Sequence, residues 1–126
     1  MYRVLLIDDQ PILRDIIRAM LEKAGGFEVV AERVDGVQAA NSYREIQPDA
    51  VIMDVQMPKM NGFTAAGTIL EVDPQAVVIL TSMKQDGEYT RLAEEAGAAT
   101  FYPKRFLDTE ILRELIARRH RQALAA

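Results

Sequence analysis

Cysteine is absent from the 126 residues. That excludes a disulfide framework, a thiolate metal site and a cysteine nucleophile, and it is compatible with a reducing cytoplasm. No hydrophobic run approaches the length of a transmembrane helix, and the N-terminus, MYRVLLIDDQ, meets charge too soon for a signal peptide. Excess positive charge is lacking as well. With a net charge of −4 and a pI near 5.0, the domain is not expected to wrap nucleic acid by itself, which takes clustered Lys and Arg. The one basic cluster, ARRHRQ, lies near the C-terminal end. There is no glycine-rich phosphate loop, and no linker, repeat or low-complexity tract interrupts the chain. The expectation is a soluble, cytoplasmic protein with no membrane partner.

A hydrophobic fraction of 49% in a chain of this length builds an ordinary core for one domain spanning 1–126. Short apolar runs recur: RVLLI (3–7), FEVVAERV (27–34), AVIM (50–53), AVVIL (76–80) and ATFY (99–102). They have strand length and are rich in Val and Ile, as in strands covered on both faces. Between them lie segments with helical spacing. In the first, Ile12, Leu13, Ile16, Ile17, Met20 and Leu21 form an apolar stripe, opened by Pro11 and stopped by Gly25-Gly26. The second runs from about Gly36 to Ile46, with Asp35 as its N-cap and Pro48 beyond its end. The third follows Asn61-Gly62 and carries Phe63, Ala66, Ile69 and Leu70; the fourth carries Tyr89, Leu92, Ala93 and Ala96 and stops at Gly97. In the fifth, Asp108 precedes Ile111, Leu112, Leu115 and Ile116, and Arg118, Arg119 and Arg121 suit the negative end of the helix dipole. Five strands alternating with five helices predict an α/β fold, a parallel sheet with helices on both faces.

In such open sheets ligands bind beyond the carboxyl ends of the strands. The first strand ends in Asp8-Asp9, the third in Asp54, the fourth in Thr81-Ser82 and the fifth in Pro103-Lys104. Each of these residues has an ordinary explanation when taken singly. Asp8 or Asp9 suits a helix N-cap, Asp54 before Met57-Pro58 suits a turn, Thr81 is a strand-end hydroxyl and Lys104 a solvated surface charge. Taken together, three carboxylates, a hydroxyl and an ammonium converge on one edge. Crowded carboxylates need a cation, and all-oxygen ligands select a hard ion such as Mg²⁺. A carboxylate beside that ion can act as a nucleophile on phosphorus, forming an acyl phosphate.

These residues, with VLLIDDQ, DVQMPKMNG, VVILTS and AGAATFYPK around them, resemble the receiver domains of two-component response regulators over nearly the whole chain. The resemblance implies a flavodoxin-like (βα)5 doubly wound sheet in the order 2-1-3-4-5. It also implies a phosphorylation switch. Asp54 would be the phosphoacceptor, charged by a sensor histidine kinase. Asp9 and Asp54 would bind Mg²⁺ directly, the Gln56 backbone carbonyl would be a third protein ligand, and Asp8 would act through water. Lys104 would contact the phosphoryl oxygens, Thr81 would move toward them, and Phe101 would be the aromatic that changes rotamer with Thr81. The domain would catalyse only its own phosphorylation and a slow autodephosphorylation.

The stretch LTSMKQDGEYTRLAEEAGA is most similar to the subfamily with a C-terminal helix-turn-helix output domain, which implies transcription regulation and DNA contact only through a domain outside these residues. Homodimers would use the surface of the fourth helix, fifth strand and fifth helix, or that of the first and fifth helices. Residues from about 118 to 126 read equally as the start of a linker or as a solvated helix end. The sequence departs from the usual Lys-Pro of the family in having Pro103-Lys104-Arg105. Two other readings compete with the switch. One is a stand-alone or atypical receiver acting by protein–protein binding, against which the full acidic set and Lys104 weigh. The other is a phosphohydrolase with an Asp nucleophile, which would need an acid–base residue two positions beyond it, where Gln56 cannot serve.

Overall fold

The computed structural model describes residues 1–84, 86–98, 100–103 and 107–125. Its elements in chain order are β1 (Tyr2–Ile7), α1 (Pro11–Ala24), β2 (Phe27–Arg33), α2 (Ala39–Ile46), β3 (Ala50–Asp54), α3 (Gly62–Val72), β4 (Val78–Ser82), α4 (Gly87–Ala96), β5 (Thr100–Pro103) and α5 (Thr109–Ala125). All strand pairings are parallel, in the order β2-β1-β3-β4-β5. Alternation along each strand divides the core in two. From β1, Leu5 and Ile7 join a cluster with Ala65, Ala66 and Ile69 of α3 and Ala93 of α4. Val4 and Leu6 face the other way, toward Ile17 and Leu21 of α1 and Leu112 and Ile116 of α5. No helix among the described residues is long and apolar enough to cross a membrane.

The expected elements are present with adjusted bounds. The fourth strand lies at Val78–Ser82, not 76–80, because pairing with β3 runs from Val51 opposite Val78 to Asp54 opposite Thr81. Thr81 and Ser82 are therefore inside the strand, as Asp54 is inside β3. The second helix begins at Ala39: Gly36–Gln38 form a separate 3₁₀ turn, whose Val37 and Gln38 N–H groups are capped by the Asp35 carboxylate. The stripe of α1 is narrower than six residues, since Ile12 and Ile16 fall on its outer side and are 74% and 50% exposed. β2 is an edge strand covered mainly at Phe27, consistent with the charges of Glu28, Glu32 and Arg33 along it. Of the expected fifth strand, Thr100–Tyr102 is present and Pro103 extends it, while Ala99 lies outside the described residues. Pro103 lacks an N–H, which is tolerable on β5, an edge strand whose one neighbour among the described strands is β4.

At the amino ends of the strands, a polar network fastens α5 to the body. Arg119 pairs with Asp73 at 2.7 Å and donates to Gln75, and Tyr43 donates to the same Asp73 carboxylate at 2.8 Å. Burial pushes the Tyr43 hydroxyl well above its ordinary pKa, and the Asp73 partner reinforces the shift. Burial alone would raise Asp73 too, but the bonds from Tyr43, the Gln75 N–H and Arg119 hold it below the usual carboxylate range. His120 reaches Asp49 at 2.9 Å, so helix α5 is tied down beyond residue 118.

At the opposite ends, Gly62 sets how closely α3 approaches β3. Its N–H donates to the Val55 carbonyl at 2.7 Å. A Cβ there would stand 2.4 Å from the Asp54 carbonyl oxygen and 2.9 Å from Val55 Cα, both rigid backbone. Gly62→Ala should therefore destabilise the protein by about 1–3 kcal/mol, the range for overpacking, and shift the amide resonances of Asp54 and Val55. Urea unfolding with NMR would show it, and a variant as stable as the parent with unmoved resonances would contradict this packing.

Candidate functional site

Three strand ends assemble the site. β1 runs out into Asp8-Asp9, β3 ends on Asp54, and β4 carries Thr81 beside it. Asp8 is fully buried and Asp54 is 6% exposed, while Asp9 is partly exposed. Oxygen atoms of all three lie within 4.8 Å of one another. The fold thus brings together the three carboxylates expected from the sequence. At such a separation each pair of unit charges repels by about 3 kcal/mol at an effective dielectric of about 20. Asp8 and Asp54 have polar partners. The Asp9 Oδ1 atom is different: it is buried and has no hydrogen-bond partner among the described residues. A buried carboxylate oxygen is seldom left in that state without a ligand to serve. An all-oxygen cluster with one vacant acceptor has the donor chemistry that suits Mg²⁺.

Local backbone geometry explains how the carboxylates are aimed. The Asp8 carboxylate accepts the Gln10 N–H at 2.9 Å, and the Asp54 carboxylate accepts the Gln56 N–H at 3.3 Å, so each closes a short turn onto its own strand end. Asn61 caps α3 by accepting the Thr64 N–H at 2.9 Å, which lets the turn after β3 end promptly. Thr81 is fully buried, and its hydroxyl donates to the Met53 carbonyl at 3.4 Å. Phe101 is 7% exposed and packs in the core, its ring edge-on to Tyr89 with centroids 5.4 Å apart. Lys104, and Arg105 after it, lie outside the described residues.

Two contributors escaped the sequence reading. Tyr89 on α4 leans over the site: its hydroxyl accepts from the exposed Gln56 side chain at 3.3 Å, and its ring also meets Phe63. These residues, with Asp9, Met57, Pro58 and Asn61, line an open cleft of about 550 Å³. In the sequence Tyr89 reads simply as one member of the apolar face of α4. Arg14 on α1 donates to the Asp8 carbonyl oxygen at 2.6 Å. A signal for it existed. Arg14 stands three and seven residues before Ile17 and Leu21, the buried positions of α1, so a charge sits in the phase of the core-facing stripe.

A family model described as the response regulator receiver domain matches residues 4–117. The chain is 38% identical over 107 residues to a protein-glutamate methylesterase/protein-glutamine glutaminase of Alkalilimnicola ehrlichii, a match covering 84% of the chain and 27% of that protein. It spans less than a third of the length of that relative and of a similar one from Geobacter metallireducens. Among solved structures it superposes with a TM-score of 0.85 on a two-component response regulator of the LuxR family from Aurantimonas sp. SI85-9A1, at 33% identity over 93% of this chain and 86% of that one. A CheX–CheY–BeF₃–Mg²⁺ complex from Borrelia burgdorferi gives a TM-score of 0.78 at 28% identity, over 91% of this chain and 86% of that one.

Crowding of the carboxylates has a consequence for stability. Mg²⁺ at tenfold its dissociation constant should stabilise the fold by about 1.4 kcal/mol. That is a rise of a few degrees in Tm. Asp9→Ala should remove the dependence and raise the Tm in metal-free buffer. Scanning calorimetry with and without MgCl₂ tests both, and a parent Tm indifferent to Mg²⁺ would count against the site.

Proposed function

The chain belongs to the response regulator receiver domain family, and from that premise we propose that Asp54 is its phosphoacceptor, taking a phosphoryl group from a phosphohistidine of a sensor kinase. The observation that carries the proposal is the convergence of Asp8, Asp9 and Asp54 within 4.8 Å, with a buried oxygen on Asp9 that has no hydrogen-bond partner among the described residues. In the transfer, an Asp54 carboxylate oxygen forms a bond to phosphorus as the phosphorus–nitrogen bond to imidazole breaks. The imidazole keeps the electron pair, and the product is an aspartyl phosphate. Asp9, Asp54, the Gln56 carbonyl and, through water, Asp8 would hold Mg²⁺, which supplies positive charge against the phosphoryl oxygens. Lys104, directly after β5, would meet the same oxygens with its ammonium group. Hydrolysis of the product would be slow, since Gln56 offers no acid–base group beside the phosphate.

The readout we propose begins at Thr81. Its hydroxyl, now on the Met53 carbonyl, would turn to donate to a phosphoryl oxygen, a stronger acceptor because it is charged. Phe101 is already buried, so its part would be to repack against Tyr89 rather than to enter from solvent. The two rings link the site to α4 and β5. The altered α4–β5–α5 face, or the α1/α5 face, would then form a homodimer or bind a partner. Similarity to LuxR-family regulators supports a role in cytoplasmic transcription control through an output domain, with residues 1–126 as one receiver unit and those from about 118 leading into a linker.

Incubation with acetyl phosphate and Mg²⁺ should add one phosphoryl group by intact mass, and Asp54→Asn should add none. Thr81→Ala should still be labelled, but beryllofluoride with Mg²⁺ should no longer move the amide resonances of α4 and β5. Full labelling of Asp54→Asn would refute the acceptor assignment. Parent-like shifts in Thr81→Ala would refute the coupling.

A further inference from the structure

A guanidinium on the core-facing side of a helix must have its hydrogen bonds supplied. The Arg14 side chain is 16% exposed, and its Nε pairs with a Glu32 carboxylate oxygen at 3.1 Å. The other Glu32 oxygen is held by Arg18 at 2.5 Å, so the carboxylate that orients Arg14 is itself fixed. Arg14 Nη1 then donates to the Asp8 carbonyl oxygen at 2.6 Å. That oxygen belongs to the peptide unit joining Asp8 to Asp9, which is planar and turns as one piece. The preceding peptide is fixed as well, because the Asp8 N–H donates to the Arg33 carbonyl at the end of β2 at 3.0 Å. These two peptides flank Asp8, and the peptide after Asp9 is held by the Gln10 N–H on the Asp8 carboxylate, so the backbone from which the Asp8 and Asp9 carboxylates project has little freedom left. Asp9 carries a buried oxygen that lacks a hydrogen-bond partner among the described residues.

We propose that Arg14 is a positioning residue for the acidic cluster. It acts through the Asp8–Asp9 peptide, holding the plane from which the Asp9 carboxylate is directed at Asp54, and touches neither the cation nor the phosphoryl group. The proposal rests on the reading of the cluster as a Mg²⁺ site. Charge and geometry make opposite predictions here. Removing a cation near a divalent ion should by Coulomb's law tighten Mg²⁺ binding. Removing the bond that aims a ligand should weaken it, and outer partners of metal ligands typically contribute tenfold or more to affinity. A fastening of α1 to β2 without a role at the site would lower the metal-free melting temperature and leave Mg²⁺ affinity alone.

The test is a MgCl₂ titration of the full chain followed by amide NMR, on the parent, Arg14→Met and Arg14→Lys. Met keeps the unbranched apolar stem and deletes the donors, whereas Lys restores one donor for the Asp8 carbonyl. Arg14→Met should bind Mg²⁺ about tenfold more weakly, and Arg14→Lys should recover part of the loss. If Arg14→Met does not fold, Glu32→Gln, which frees the guanidinium while leaving it in place, should weaken binding about two- to threefold, as a looser hold on one hydrogen bond implies. Parent-like or tighter Mg²⁺ binding in folded Arg14→Met, or in Glu32→Gln where that variant stands in, would overturn the positioning role and leave the receiver reading intact. A parent that binds no Mg²⁺ would overturn both.

Discussion

Mutual repulsion among Asp8, Asp9 and Asp54 is the constraint around which the site is built. Their oxygens stand within 4.8 Å of one another, and the sheet order is what forces this, because β1 and β3 are neighbours and both end at the same edge. The surrounding backbone spends hydrogen bonds on keeping the carboxylates aimed inward: the Gln10 and Gln56 N–H groups hold Asp8 and Asp54, and the Gly62 N–H closes the turn after β3. The N–H donors favour the ionised carboxylates, but they leave the three side chains crowded together. A site arranged in this way stores unfavourable electrostatics in the metal-free state and releases them on binding a cation or on losing a carboxylate charge, which is why functional sites so often weaken the fold that carries them.

The other edge of the sheet behaves in the opposite sense. There the Asp73 carboxylate is satisfied by Tyr43, Arg119 and the Gln75 N–H. Its lowered pKa means that the network stabilises the fold above the ordinary carboxylate pKa, and the contribution is lost as pH falls through the folded value. One end of the molecule thus holds an ion-paired network that secures α5, and the other brings three carboxylates within 4.8 Å of one another. Phe101 and Tyr89 lie between the crowded end and the α4 surface, in edge-on contact. That contact joins β5, which carries Phe101, to α4, which carries Tyr89.

Much of this was legible in the sequence because parallel sheets write their strands as Val/Ile-rich runs and place their chemistry at strand ends. The run AVIM followed by Asp54, and RVLLI followed by Asp8-Asp9, gave both the fold and the acidic triad. What was harder to read depended on register or on distance in space. Thr81 belongs to β4 because β3 aligns it with Asp54, and Ser82 because β5 aligns it with Pro103; pairing of that kind leaves no mark in a local window. The width of the α1 stripe was overestimated because Ile12 and Ile16 are apolar but outward-facing, a pattern that hydrophobicity alone cannot separate from core. Gln56 and Tyr89 meet across 33 residues, and Arg14 meets Glu32 across 18. Of these only Arg14 had a sequence signal, a charge in the phase of buried residues.

We propose that, of the three carboxylates within 4.8 Å of one another, the one at the end of β3 takes the phosphoryl group. An acyl phosphate differs from a free carboxylate in being reduced by borohydride to an alcohol, which marks the modified residue permanently. The protein is phosphorylated with acetyl phosphate and Mg²⁺, reduced with borohydride, digested and sequenced by tandem mass spectrometry. The account predicts homoserine at position 54 and unmodified aspartate at positions 8 and 9. Homoserine at position 8 or 9, or none at 54 in a protein that has gained phosphoryl mass, would contradict it.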